Sequence, residues 1–354
     1  MTATSTATSP APAALPVAPH VHRGVTFGFC ARNGYFDTPA ARLEVDRMAD
    51  TGVAWVCLVV TDMQETSTSP RVFRDYEHTP GDLEVAGIID YIHGKGMKVH
   101  LRPMIECFDG HGRTQVWFPY DGERIPGRRS TALGQWFNCL RHRARHYARL
   151  ATRTGVEMLG LDSELDRLVH RNNEWKSVVQ AAREHYAGPV TSCHTHMVDF
   201  LRELQRPDHW FRDLDVLGTS FYHASAKEHG ATVEDRVAFL QPKVELYREM
   251  AAALGKPIMF GELGCTSSHA GGTRPSAWSG DGGYEPAEQR DHLEAVLRCF
   301  WDEPWWAGFY WWKWDEQNIR PQFRDDPKGD KGFTVWGKPA AATMKAWFER
   351  KERA

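Results

Sequence analysis

Two glutamates in this chain close apolar runs. Glu164 ends "EMLGLDSE" (157–164), and Glu262 sits near the end of "PIMFGELG" (257–264). A carboxylate is costly to bury without a partner, so its place at the tip of a hydrophobic strand needs a chemical reason. Two carboxyls held about 5–5.5 Å apart can carry out a double displacement at a glycosidic carbon. One stays protonated and gives its proton to the leaving oxygen; the other stays ionised and attacks. Their surroundings must split their pKa values for both roles to coexist.

Other residues offer other chemistry. "HTH" at 194–196 presents two imidazoles, His194 and His196, that can bind hydroxyl groups. Joined by His223 and Asp315 they would make a metal site, the alternative reading of a metal-dependent barrel hydrolase. Barrel amidohydrolases that use such a motif carry it on their first strand, and "GVTFGFC" (24–30) has no histidine. A barrel that binds glycans without cleaving them is a third reading, set against the presence of both carboxylates.

Eight apolar runs carry these groups. They are "GVTFGFC" (24–30), "AWVCLVV" (54–60), "MKVHLRP" (97–103), "EMLGLDSE", "PVTSCHT" (189–195), "DVLGTSFY" (215–222), "PIMFGEL" and "AGFYWWKW" (307–314). A helical stretch follows each, near 39–51, 82–95, 134–154, 172–186, 198–206, 233–254, 286–302 and 339–351. Continuous apolar strands alternating with helices predict a parallel sheet covered on its outside. Eight such units predict one (β/α)8 barrel over residues 24–354. The junctions "DTGVAW", "GKGMKV", "RTGVEM" and "ALGKPI" put Gly where a helix C-cap needs a left-handed residue.

In the barrel, the loops after the strands form the face that holds active sites. Those after the third and seventh strands are long and carry Trp117, Phe118, Tyr120, Trp278 and Tyr284. Strand alternation puts Leu159, Leu161 and Ser163 on the outer face of the fourth strand and Gly160, Asp162 and Glu164 on the inner. Arg102, on the third strand beside Asp162, is expected to pair with it, since a charge inside a barrel needs a partner. The tips of the fourth and seventh strands face each other across the mouth, which brings Glu164 towards Glu262.

With these residues the chain resembles a retaining glycoside hydrolase of the clan A barrels. Within that clan it is similar to glycoside hydrolase family 113, the endo-β-1,4-mannanases. The likeness runs from about residue 24 to 350. It rests on "GMKVHLRPMIECFDG", "EMLGLDSE", "LGTSFY", "KPIMFGELGC", "FWDEPWWAGFYWWKW" and "GFTVWGKPA". The resemblance implies Glu164 as acid/base, Glu262 as nucleophile and Tyr222 as a hydrogen-bond donor to the nucleophile. It implies no cofactor and no metal. Clan members commonly have Asn before the acid/base, where it binds the sugar 2-hydroxyl; here that residue is Ser163. A sugar platform is expected within Tyr310, Trp311, Trp312 and Trp314, with Trp312 and Trp314 on one face and Trp311 with Lys313 on the other. Arg102, His194, His196 and Trp117 are further substrate-binding candidates. Another β-glycan, such as xylan or β-glucan, is the alternative substrate within the same clan.

Composition fits this reading. The chain has 354 residues, 42% hydrophobic and 25% charged, with net charge −3. That balance lacks the basic excess of a nucleic-acid binder. No apolar stretch reaches the ~18 residues of a membrane span. The 14 Trp suit both a large core and sugar-binding faces. The 7 Cys are scattered without a CxxC pair, which favours a reducing compartment over a disulfide framework. Residues 1–23 read as a disordered Ala/Thr/Pro-rich tail with no basic segment or apolar run of a signal peptide. The expected protein is cytoplasmic, a monomer or small homo-oligomer, acting on oligo- or polysaccharide.

Overall fold

The computed structural model describes residues 15–118, 130–316 and 320–350. Tyr120 and residues 1–14 of the expected tail lie outside them. The strands are β1 (His22–Phe27), β2 (Trp55–Gln64), β3 (Val72–Phe73), β4 (Lys98–Cys107), β5 (Met158–Ser163), β6 (Val190–Thr195), β7 (Val216–Phe221), β8 (Ile258–Leu263) and β9 (Trp306–Trp311). All but β3 are parallel, and β1 pairs with both β2 and β9, so eight strands close into a barrel. β3 is a short antiparallel addition to the end of β2. Ala18 N–H bonds the Pro304 carbonyl at 2.8 Å, which ties residues just before β1 to the start of β9.

The helices are α1 (Pro39–Asp50), α2 (Asp82–Gly94), α3 (Ala132–Thr154), α4 (Asn172–Arg183), α5 (Phe200–Leu204), α6 (Val233–Leu254), α7 (Pro286–Phe300) and α8 (Pro339–Phe348). They cover the barrel as expected of a (β/α)8 fold. Their ends follow local chemistry. Thr38, Thr131 and Thr232 accept N-cap bonds at the starts of α1, α3 and α6. Gly52, Gly96, Gly155 and Gly255 in the expected junctions all have positive φ, between 70° and 80°, which releases the chain into the next strand.

Two cores result. Between barrel and helices lies a continuous layer that includes Trp136, Trp175, Trp210, Trp305, Trp306, Trp311 and Trp314, all fully buried. Most of the Trp excess is thus core rather than sugar-binding surface. Inside the barrel, Trp55, Cys57, Met158, Met259, Ala307 and Tyr310 plug the end away from the loops. Above this plug the interior becomes polar.

Candidate active site

β5 does not keep strict alternation. Leu159 pairs with Val190 and Gly160 with Thr191, but Ser163 pairs with Cys193, so β5 carries one extra residue. Such a bulge reverses which side chains face in. Ser163 therefore points inward, and its hydroxyl donates to Glu262 Oε1 at 3.3 Å. Asp162 turns outward, where its carboxylate accepts from Ser192 Oγ. The expected assignment of these two residues to faces is corrected accordingly.

Glu164 follows with φ 56°, and its N–H bonds the Cys193 carbonyl at 2.7 Å. A left-handed residue with a Cβ costs roughly 1–2 kcal/mol, and such strain clusters at functional sites. The turn brings Glu164 back over the barrel mouth after the bulge. There its carboxylate accepts from Ser220 Oγ at 2.7 Å and pairs with an Arg113 nitrogen at 3.1 Å.

β8 has a matching irregularity. Thr219 pairs with Phe260 and Ser220 with Glu262, so Gly261 is the extra residue. Glu262, 2% exposed, is turned inward among donors. Arg102 reaches it at 2.9 Å, Tyr222 Oη at 3.0 Å and Arg113 at 3.9 Å. Arg102 also donates to the Gly261 carbonyl at 2.9 Å. The expected Arg102–Asp162 pair is thus replaced by Arg102–Glu262. The β5 bulge turned Asp162 away, and β4 and β8 stand opposite each other across the barrel. Arg102 lies beneath Glu262, fully buried, where it can hold the carboxylate but cannot reach a ligand in the cavity.

One Arg113 nitrogen approaches both carboxylates, so the two facing oxygens are no more than about 7.0 Å apart. Burial, and then the Glu164 charge, push the Glu262 carboxyl up to about 7, against the lowering pull of Arg102, Arg113 and the Tyr222 hydroxyl. Two carboxyls this close titrate as a pair, and the last proton is held to about neutral pH. Burial together with the two carboxylates raises Tyr222 well above the usual phenol range, so it remains a donor.

A cavity of about 540 Å³ opens above the pair. Of the residues singled out in the sequence, Glu164, Glu262, Tyr222, His196, Trp278 and Trp312 line it. Trp312 lies just past the end of β9, with Phe29 at a ring separation of 4.9 Å and Trp278 edge-on at 6.2 Å. Trp311 and Trp314 do not face the cavity. Trp311 donates to the Phe333 carbonyl and Trp314 to Glu44, both within the barrel–helix layer. β9 ends at Trp311, so alternation no longer governs Trp312 and Trp314.

His194 also leaves the site. It is fully buried against Phe200, Trp210 and Phe211 and is held by Ser192 and Asp166. Trp117 is 43% exposed beside Arg167 and does not line the cavity. The set His194, His196, His223 and Asp315 does not converge among the described residues. Asp315 pairs with Lys313, and His223 bonds Tyr247. The metal reading built on those four residues is therefore corrected. Arg113 and Glu106, which bond each other and line the cavity, escaped the sequence reading, as did Ser220, Phe29 and Phe333. "DGHGRTQ" held the one available signal, a lone arginine in a polar loop of the active face.

The sequence model of Glycoside Hydrolase Family 113 matches residues 25–338. Among solved structures, the chain is similar to the GH113 β-mannanase AaManA from Alicyclobacillus acidocaldarius in complex with ManMIm, at 26% identity. That match covers 93% of this chain and 97% of the other, with TM-score 0.80. A GH113 β-1,4-mannanase matches at 25% identity over 94% of this chain and all of the other, with TM-score 0.78. A family 5 mannosidase from Rhizomucor miehei shares the fold at 10% identity and TM-score 0.62, covering 94% and 93%. Comparison with curated protein sequences gives no match.

Proposed function

The chain belongs to glycoside hydrolase family 113, and on that premise we propose that it is a retaining β-mannanase, cleaving β-1,4-linked mannan or manno-oligosaccharides. In this reading Glu262 is the nucleophile and Glu164 the acid/base. The observation that carries it is the shared Arg113 nitrogen. A cap of about 7.0 Å on the facing oxygens accommodates a retaining pair, whose carboxyls stand about 5–5.5 Å apart.

Hydrogen bonds divide the roles. Glu262 receives Arg102, Tyr222 and Ser163, with Arg113 nearby; Glu164 receives Ser220 and Arg113. Donors favour the charged form, which suits Glu262 to the role of the attacking carboxylate and leaves proton donation to Glu164. The Glu262 carboxylate attacks the anomeric carbon while Glu164 protonates the departing oxygen. Glu164, now a carboxylate, takes a proton from the water that displaces Glu262. Two inversions return the β configuration. Trp312 supplies a flat apolar face for the sugar, and Ser163 offers one hydroxyl beside Glu262.

The mannan assignment draws on the neighbours, which are named as β-mannanases. It is tested by incubation with mannan, glucomannan, xylan and β-glucan, with the anomer of the first product read by NMR. Mannan cleavage giving the β-anomer first is expected. Activity on xylan or β-glucan without mannan would move the substrate, and a first α-anomer would exclude double displacement.

A further inference from the structure

We propose that His229, His269 and Glu285 form a zinc-class divalent cation site, outside the catalytic cleft, that fixes the loop carrying Trp278. One donor atom from each of the three lies within 4.8 Å of the others. Two imidazoles and a carboxylate are a donor set that zinc accepts, with a fourth position left for water. Nitrogens on a tetrahedral zinc stand about 3.4 Å apart, from bonds of about 2.0–2.1 Å. Both histidines are exposed, so rotation of their side chains can close that gap. Their rings already stack at 4.5 Å.

The surroundings are those of a metal site rather than of a chance cluster. Glu288, buried in α7 and paired with Arg236, accepts from His229 Nδ1 at 2.9 Å and from the Gly230 N–H at 2.8 Å. A carboxylate on one ring nitrogen fixes the tautomer and orientation, and leaves Nε2 as the free ligand. Glu285 and His269 are held across from each other. Ser268 and Tyr284 form an antiparallel bridge, His269 N–H bonds the Gly283 carbonyl, and Glu285 N–H bonds the Ser267 carbonyl. These contacts close the stem of the loop between β8 and α7.

Position gives the consequence. His229 stands in the connection between β7 and α6, so an ion would clamp two neighbouring loops. The segment between His269 and Glu285 carries Ser276 and Trp278, which line the cavity. Trp278 is 54% exposed and rests edge-on against Trp312 and Phe333. A clamped stem would hold that ring over the cleft without placing the ion near the reacting atoms. Zinc should therefore change substrate binding and leave the chemical step alone.

The experiment is calorimetric titration of zinc into chelator-stripped, full-length protein, followed by kinetics with and without the ion. One equivalent should bind, His269→Ala and Glu285→Gln should each weaken binding about tenfold or more, and bound zinc should lower KM with kcat unchanged. Both variants alter exposed or half-exposed side chains, and unchanged circular dichroism would show that they fold. No uptake, or uptake untouched by both substitutions because it occurs at cysteines or other histidines, would overturn the site. Loss of kcat on chelation would overturn its placement outside the chemistry. None of these outcomes depends on which glycan is cleaved.

Discussion

Removing the Tyr222 hydroxyl should move one limb of the pH–rate profile and leave the other nearly in place. Tyr222 Oη donates to Glu262 Oε2 at 3.0 Å, and no such bond joins it to Glu164. A hydrogen bond to a charged group contributes about 1.5–3 kcal/mol, and 1.36 kcal/mol corresponds to one pKa unit. Tyr222 is half-buried, so solvent screening favours the lower figure, about one unit. In Tyr222→Phe the Glu262 carboxylate loses a donor and holds its proton to higher pH. The acid limb of kcat/KM should therefore rise by about one unit. The alkaline limb, set near neutrality by loss of the last proton from the pair, should shift by no more than a few tenths. The assay is kcat/KM against pH on an activated aryl β-mannoside, with circular dichroism to verify folding. An alkaline shift with a fixed acid limb would assign the first ionisation to Glu164 and refute the division of roles. A profile unmoved at both limbs would refute the electrostatic role of Tyr222.

Two further outcomes follow from the geometry. The folded chain holds the last proton of the carboxyl pair to about 7 while an ordinary glutamate releases it near 4.5. The associated stability is thus fully present below pH 4.5 and lost as pH rises through 7. Glu262→Gln should gain in Tm relative to the wild type between pH 5 and pH 8, and a constant Tm difference would contradict this. A Cβ added at Gly264 would lie 1.9 Å from the Trp312 carbonyl oxygen. Gly264→Ala should therefore cost about 1–3 kcal/mol and raise KM by displacing the Trp312 face; unchanged thermal unfolding and KM would contradict that packing.

Much of the fold was legible because it repeats. Eight apolar runs, each followed by a helix, leave few alternatives, and the four C-cap glycines adopt the conformations their positions require. The two glutamates were legible because a charge at the end of a hydrophobic strand is locally anomalous. What alternation could not supply was the phase of a strand after an irregularity. One extra residue in β5 exchanged Asp162 and Ser163, and this redirected Arg102 to Glu262. The end of β9 at Trp311 likewise separated Trp312 from Trp314. His194 was misplaced because a histidine on a strand looks the same whether it faces the cavity or the helices. Arg113 was invisible for another reason: it reaches both glutamates from a loop about 50 residues before the first and 150 before the second, and no periodicity links them.

The assignment of nucleophile and acid/base is tested most directly by the configuration of the product formed with azide. Glu164→Ala lacks the acid/base, yet an activated aryl glycoside departs without protonation, and azide can attack the glycosyl-enzyme without deprotonation. Its product should be the β-glycosyl azide. Glu262→Ala cannot form the covalent intermediate, so azide entering the vacated space should give the α-glycosyl azide. Without azide, each variant should lose a factor of about 10² to 10⁴ or more. NMR of the two azide products reads the result. Exchanged configurations would reverse the roles of Glu164 and Glu262, and near-wild-type rates in both variants would show that the pair does no chemistry.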